Sequence, residues 1–317
     1  MATVNESCFY PSSFVLLGIP GLEYLHVWIS VPVFSMFLFA IVGNYVVLLI
    51  IFLDVSLHQP MYIYFTILAF VDIILANSTV PKLLCIFWFN QIEIDYHMCF
   101  LQMFFLHSFS TIESGIFVAM AYDRYVAICN PLRYSVTVTP SVIIISGVLA
   151  VLRGVVYILP LPLLAQRLHL YTSNVIFHSY CEHMAGVVRL ACGDVSFNNH
   201  LGMVIGFLVL GMDSVFIAFS YVMILRALLK LSVKARLKSF GTCTSHVCAI
   251  LAFFTPILCS SLVHRFGKNV PHHTHILLAN SYLIIPPVLN PLVYGVRTRQ
   301  IRERVVKCFL KQSPDFF

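Results

Sequence analysis

Long apolar runs, bounded by charges, turns or proline, dominate the pattern of hydrophobic and polar positions. An α-helix rises 1.5 Å per residue, so about 20 apolar residues cross a bilayer. Seven segments reach that length. The clearest is 28–53, 26 residues without Asp, Glu, Lys or Arg, followed at once by Asp54 and the breaker His58-Gln59-Pro60. The others run 61–89, 98–122, 142–164, 201–225, 243–263 and 276–296. After the seventh, 298–310 reads as a short basic amphipathic helix with Ile301, Val305 and Phe309 on one face, suited to lie along an anionic leaflet. The pattern predicts an all-α membrane protein, a seven-transmembrane helix bundle at 28–296 with a short amphipathic eighth helix. A tail at 1–27 precedes it, and a cytoplasmic helix and tail at 297–317 follow.

Composition agrees. Of 317 residues 60% are hydrophobic and 10% charged, against about 45–50% and about 25% in soluble domains. Too few polar groups remain to coat a water-soluble surface, and disorder, collagen-like repeats and nucleic-acid binding are excluded with it. An odd number of spans puts the termini on opposite sides, and positive charge is retained inside. Thirteen of the nineteen Lys and Arg fall on one side, from Arg124 and Arg133 through the 226–238 cluster to the tail, so the N-terminus is expected outside. The first 24 residues carry no Lys or Arg, and the apolar stretch 14–19 is too short for a signal-peptide core, so the first helix is expected to anchor itself. Asn5-Glu6-Ser7 is a glycosylation sequon on that outer tail, and Asn5 is the expected acceptor. Cys308 is a candidate for palmitoylation at the inner leaflet.

Ionisable groups at bilayer depth are costly and mark function by default. They are Asp72, Glu113, Asp213, Lys82 and Arg153. Asp72 and Glu113 lie mid-span, with Asn290 at similar depth. Two carboxylates with hydroxyl neighbours such as Ser110 and Ser114 suit a monovalent cation, a bound sodium ion, as the one cofactor expected. The alternative is a hydrogen-bonded helix contact with one acid protonated. Lys82, near the outer end of its span, can snorkel. Arg153 and Asp213 receive no assignment, because sequence does not show whether they face each other. His264, His272, His273 and His275 bunch in one loop without tetrahedral Cys/His spacing, and a hydrated loop is the expectation rather than a metal site.

Two motifs suggest a switch. MAYDRYVAICNPLRY (120–134) sets Asp123 beside Arg124 and Tyr125, an acid and a base that can pair in one state and separate in another. Asn290-Pro291-Leu292-Val293-Tyr294 places a proline near the inner end of the seventh span, where it removes a hydrogen bond and permits a kink. Together these resemble the rhodopsin-like G protein-coupled receptors. Gly43-Asn44, LHQPMY (57–62), PKLL (81–84), Ser220-Tyr221 and FGTCTSH (240–246) narrow the resemblance to the olfactory receptors. HSYCEH (178–183), HRFG (264–267) and PPVLNPLVYGVRTRQIRERV (286–305) are similar to the class I, fish-like branch. The likeness covers nearly the whole chain.

The resemblance implies a receptor at the plasma membrane, with olfactory neuron cilia as its expected place. A small volatile ligand would bind in the outer half of the bundle and activate a stimulatory, olfactory-type G protein that raises cAMP. The family's loop disulfide would join Cys99 and Cys181. The HRFG arginine anchors fatty-acid carboxylates in class I receptors, which assigns that role to Arg265, with Ser261 one turn deeper and His107 and His183 lining the pocket. Read from the residues alone, Arg265 can equally snorkel to headgroups and His107 be a satisfied core residue. Tyr221 and Tyr294 would restack toward Arg124 on activation. Two positions depart from the family pattern: Phe254 stands where a tyrosine is usual, and Tyr171 where relatives carry a cysteine, which leaves Cys192 without its expected partner. Cys8, the other outer cysteine, is the alternative partner for Cys192. A membrane transporter or channel for small organic anions is the alternative, disfavoured by the lack of internal repeats. An enzyme is not expected, because the buried acids and histidines lack nucleophile or metal-ligand spacing.

Overall fold

A computed structural model describes residues 8–230, 232–266, 270–296 and 299–309. Seven of its helices are long and apolar enough to cross a membrane. Helices α1 (His26–Leu53), α2 (Pro60–Phe89) and α3 (Tyr96–Cys129) form the first three spans, and the short α4 (Tyr134–Thr137) follows. The fourth span is α5 (Pro140–Ile158), continued by α6 (Pro160–Gln166). The fifth is α7 (Ser196–Gly206), a π-helical turn at Phe207–Gly211, and α8 (Met212–Leu229). The sixth is α9 (Val233–Phe266), the seventh α10 (His272–Pro291) with a π-turn at Leu292–Val296, and α11 (Arg299–Phe309) lies beyond them.

Local chemistry sets these ends. Proline at the first position starts α2 and α5, where its missing N–H leaves no bond unmade. Asp95 caps α3 by accepting from the backbone N–H of His97 at 2.9 Å and of Met98 at 3.2 Å. α3 continues to Cys129 rather than 122, and α9 begins at Val233 rather than 243. The end of an apolar run marks where a helix leaves hydrocarbon, whereas Lys and Arg carry it on into water as good helix formers. Asp123 and Arg124 therefore sit inside α3, not at its end.

The bundle turns apolar side chains outward. Trp28 is 74% and Phe52 78% exposed on α1, and Val156 62% on α5, an apolar surface that only lipid can cover. Inside, polar side chains repair the backbone. Pro291 has no N–H for the Pro287 carbonyl one turn back, and Asn44 Nδ2 donates to that carbonyl at 2.8 Å. α11 docks on the bundle through buried Ile301, a Tyr62–Gln300 hydrogen bond and the Arg304 Nε–Asp54 Oδ2 ion pair at 2.6 Å.

One end of the bundle, the N-face, is closed by a small sheet. β1 (Ser13–Leu16) is its central strand, antiparallel to β2 (Glu93–Asp95) and parallel to β3 (Val175–Ile176). Phe14 and Leu16 are fully buried beneath it. The apolar stretch read only as too short for a signal peptide is thus a lid strand. Lys82 reaches past the end of its span: its Nζ donates to the carbonyls of Gln91 at 2.7 Å and Glu93 at 2.5 Å and pins β2.

Candidate functional site

Two disulfides fasten the lid. Cys99 at the start of α3 bonds Cys181, with Cα atoms 5.4 Å apart, and Cys8 bonds Cys192 at 6.4 Å. The second bond is the alternative pairing of Cys192, with Cys8, in place of the partner usual in relatives. The N-terminal segment supplies the missing thiol, because Phe9 exchanges backbone hydrogen bonds with Tyr171 at 3.1 and 2.9 Å and so brings Cys8 alongside. Tyr171 fills the lid interior. Its ring lies 5.3 Å edge-on to Phe14, and its hydroxyl donates to the Ala165 carbonyl at 3.2 Å.

Under the lid lie the histidines. His183, in the loop just past Cys181, is 2% exposed and packs against α7, where a Cβ on Gly202 would fall 3.2 Å from its ring. Burial, reinforced by the neighbouring His107, pushes the His183 imidazole down to about 3, so it is neutral at physiological pH. His107 Nε2 on α3, His183 Nε2, Ser108 Oγ and Asn198 Oδ1 are buried with no hydrogen-bond partner among the described residues. Such groups are expensive to bury unmatched, and they point to a polar guest. Asn198 escaped the sequence reading, having no motif around it. Phe104 packs with Ile158, Leu161, Ile205 and Val209 as an apolar wall, whereas Phe207, 66% exposed, faces out. Ser261 stands exposed on α9. The side chain of Arg265 lies outside the described residues, as does Asn5.

Deeper in the bundle the polar core assembles as its depths suggested. Asp72, Glu113 and Asn290 are buried. Asn290 Nδ2 donates to Asp72 Oδ1 at 3.1 Å and Oδ2 at 3.0 Å, and to Glu113 Oε1 at 3.3 Å. Glu113 Oε2, Asn290 Oδ1, Ser110 Oγ and Tyr294 Oη have no partner among the described residues. Two carboxylates and orphaned oxygens suit a small hard cation. Ser114 is not part of this group. It lies 100° round the helix from Glu113 and donates instead to Asp213 Oδ2 at 2.5 Å.

At the C-face the acid and base of the candidate switch are paired. Asp123 Oδ2 accepts from Arg124 Nε at 2.9 Å and from its Nη2, while Asp123 Oδ1 accepts from Tyr134 Oη at 2.7 Å. Burial and the Asp123 carboxylate push the Tyr134 phenol up, which keeps it a donor. Tyr221 Oη bonds His246 Nδ1 at 2.6 Å, Tyr294 stacks on Phe65 at 4.1 Å, and Tyr125 packs beside Ile224, Leu228 and Cys243. Neither Tyr221 nor Tyr294 is hydrogen-bonded to Arg124. Tyr134 and His246 were missed as partners, although both end strings already singled out.

A seven-helix bundle with a disulfide-fastened lid at one end and a buried Asp-Arg pair at the other is the architecture of a G protein-coupled receptor. The crystal structure of squid rhodopsin superposes with a TM-score of 0.72 at 16% identity, over 92% of this chain and 89% of that one, a likeness of fold. A model of the olfactory receptor family matches residues 33–312. Olfactory receptor 52K2 of Homo sapiens is 50% identical over 99% of this chain and 100% of its own length, and olfactory receptor 52R1 of Homo sapiens 50% over 97% of each. Olfactory receptor 51E2 of Rattus norvegicus is 46% identical over 96% of this chain and 95% of its own. The chain belongs to the olfactory receptor family. It is an odorant receptor that signals through a heterotrimeric G protein, a multi-pass protein of the plasma membrane and not an enzyme.

Proposed function

We propose that the receptor detects small aliphatic carboxylic acids and couples them to a stimulatory, olfactory-type G protein that raises cAMP. The observation that carries the reading is the pair of buried, unpartnered nitrogens of His107 and His183 under the lid, with the apolar cluster around Phe104 on the same helix. A carboxylate supplies the acceptors that neutral imidazole N–H groups lack, and Arg265 on the N-face end of α9 adds the charge, as a fork that binds both carboxylate oxygens. Lid and pinned strands exclude water, which strengthens each contact. The N-face is outside and the basic C-face cytoplasmic, by the distribution of Lys and Arg. A sodium ion held by Asp72 and Glu113 steadies the closed form, and Asn5 carries glycan. The ligand drives the switch only by binding the open state more tightly than the closed one.

The test is cAMP in cells displaying the receptor, titrated with straight-chain acids and the matching alcohols, beside Arg265→Ala at equal surface level. Acids alone should activate, and the variant should lose the response. Equal response by the variant, or activation by alcohols but not acids, overturns the carboxylate anchor.

A further inference from the structure

Arg153 and Asp213, two charges at bilayer depth with no assigned purpose, meet in the bundle. Arg153 Nη1 donates to Asp213 Oδ1 at 2.6 Å and Nη2 to Oδ2 at 2.8 Å. Nη2 also reaches the Thr111 carbonyl at 2.9 Å, and Ser114 Oγ closes on Oδ2 at 2.5 Å. One carboxylate, 3% exposed, thereby ties α3, α5 and α8 together. The helices are brought close enough by glycine. A Cβ on Gly154 would stand 2.6 Å from Ile112 and 2.9 Å from the Ser108 carbonyl, and one on Gly115 would stand 3.1 Å from Arg153 Nη2.

The clamp's position along the chain is informative. Thr111 lies one turn beyond His107 under the lid, and its hydroxyl donates to the His107 carbonyl at 2.8 Å. In the fifth span the π-turn Phe207–Gly211 ends just before Asp213. On its N-face side α7 touches His183, and on its C-face side α8 carries Tyr221 of the switch. A π-turn is a wide place in the helix where a change of direction can be absorbed. Packing alone needs no charges here, since well-packed apolar residues replace a buried ion pair at little or no cost. Register is what a bidentate pair adds.

We propose that Arg153 is a positioning residue for signalling. Its grip on Asp213 is the fixed pivot that holds α8, and Tyr221 with it, in register against α3, while α7 moves with the ligand and the π-turn takes up the difference. The inference rests on the receptor reading but not on the choice of odorant. In the closed form the pivot keeps Tyr221 on His246; loosening it frees Tyr221 toward Arg124 and raises ligand-free activity.

The experiment uses the full chain on cells: Arg153→Met, Asp213→Leu, the double variant and Ser114→Ala. Each charge-removing single variant strands its buried partner, and surface display should fall about tenfold or more; the double, with no buried charge left, should recover it. At matched surface level, ligand-free nucleotide exchange on added G protein should rise in the double, and about threefold in Ser114→Ala, which keeps the ion pair and loses one hydrogen bond. Wild-type display of the single variants overturns the clamp. Wild-type ligand-free exchange in Ser114→Ala and in any displayed double overturns the pivot and leaves the pair a packing feature. Because exchange is read without odorant, failure of the carboxylic-acid reading shows separately, as silence of the wild type toward acids.

Discussion

Glu113 and Ser114 are neighbours on α3, yet they belong to polar groups of opposite character. Glu113 faces Asp72 and Asn290, where three acceptors share one amide nitrogen at 3.0–3.3 Å and four oxygens around them have no partner among the described residues. Ser114 faces Arg153 and Asp213, where both carboxylate oxygens accept bonds of 2.5–2.8 Å and Arg153 Nε is the one atom of the three side chains without a partner among the described residues. The more completely buried polar groups are matched, the more they rigidify a structure, and those left largely unmatched are high-energy sites open to change. The first group therefore waits for a guest or a rearrangement, and the second holds its helices still. A receptor needs both, a fixed frame and a soft place within it.

The largest expected effect tests that contrast directly. Asp213→Asn leaves the Arg153 charge unpaired and should cost about 3–5 kcal/mol, seen as loss of surface display and of thermal stability. Measured without sodium, Glu113→Gln removes a charge from a group that matches it only in part and should change stability by less than about 1 kcal/mol. Comparable losses in the two variants would break the contrast.

The lid supplies a third kind of buried group, held neutral rather than paired. A histidine whose native value lies far below the ordinary 6.5 contributes stability that is complete above that pH and declines as the pH falls toward about 3. Between pH 7 and 5 the purified receptor should lose about 2 kcal/mol through His183. His183→Gln should flatten that slope in thermal unfolding, and an unchanged slope would show the lid histidine to be solvated. The smallest effects come from the two serines. Ser114→Ala should cost about 1 kcal/mol, the value of one buried hydrogen bond, while Ser110→Ala, whose hydroxyl has no described partner, should fall within about 0.5 kcal/mol of wild type. Differential scanning of the two purified variants resolves the pair.

Much of this was legible in the chain, and the remainder failed for identifiable reasons. The spans follow from apolar length, so α2 begins one residue from its expected start and ends at Phe89 as read. The helix extensions past 122 and before 243 were hidden, because hydropathy reports the membrane and not the helix. Asp72, Glu113 and Asn290 could be grouped by depth, since three mid-span polar residues have few places to go. Ser114 was placed in the wrong group, because depth gives height in the bundle and not direction around the helix. The same ambiguity kept Arg153 and Asp213 apart on the page. The lid strand was least legible: residues 14–16 are ordinary apolar letters after a serine, and only the facing strands from two distant loops make them a sheet. Cys8 found Cys192 through that strand's continuation, a contact across 184 residues.

One measurement bears most directly on the claim that one side of α3 is soft and the other fixed. It is the thermal midpoint of purified receptor in sodium chloride against choline chloride at equal ionic strength, for wild type, Glu113→Gln and Ser114→Ala. A cation that binds the native state at about ten times its dissociation constant adds about 1.4 kcal/mol, so wild type and Ser114→Ala should both melt higher in sodium, and Glu113→Gln should not. A wild type indifferent to sodium, or a sodium shift that survives in Glu113→Gln and vanishes in Ser114→Ala, would contradict it.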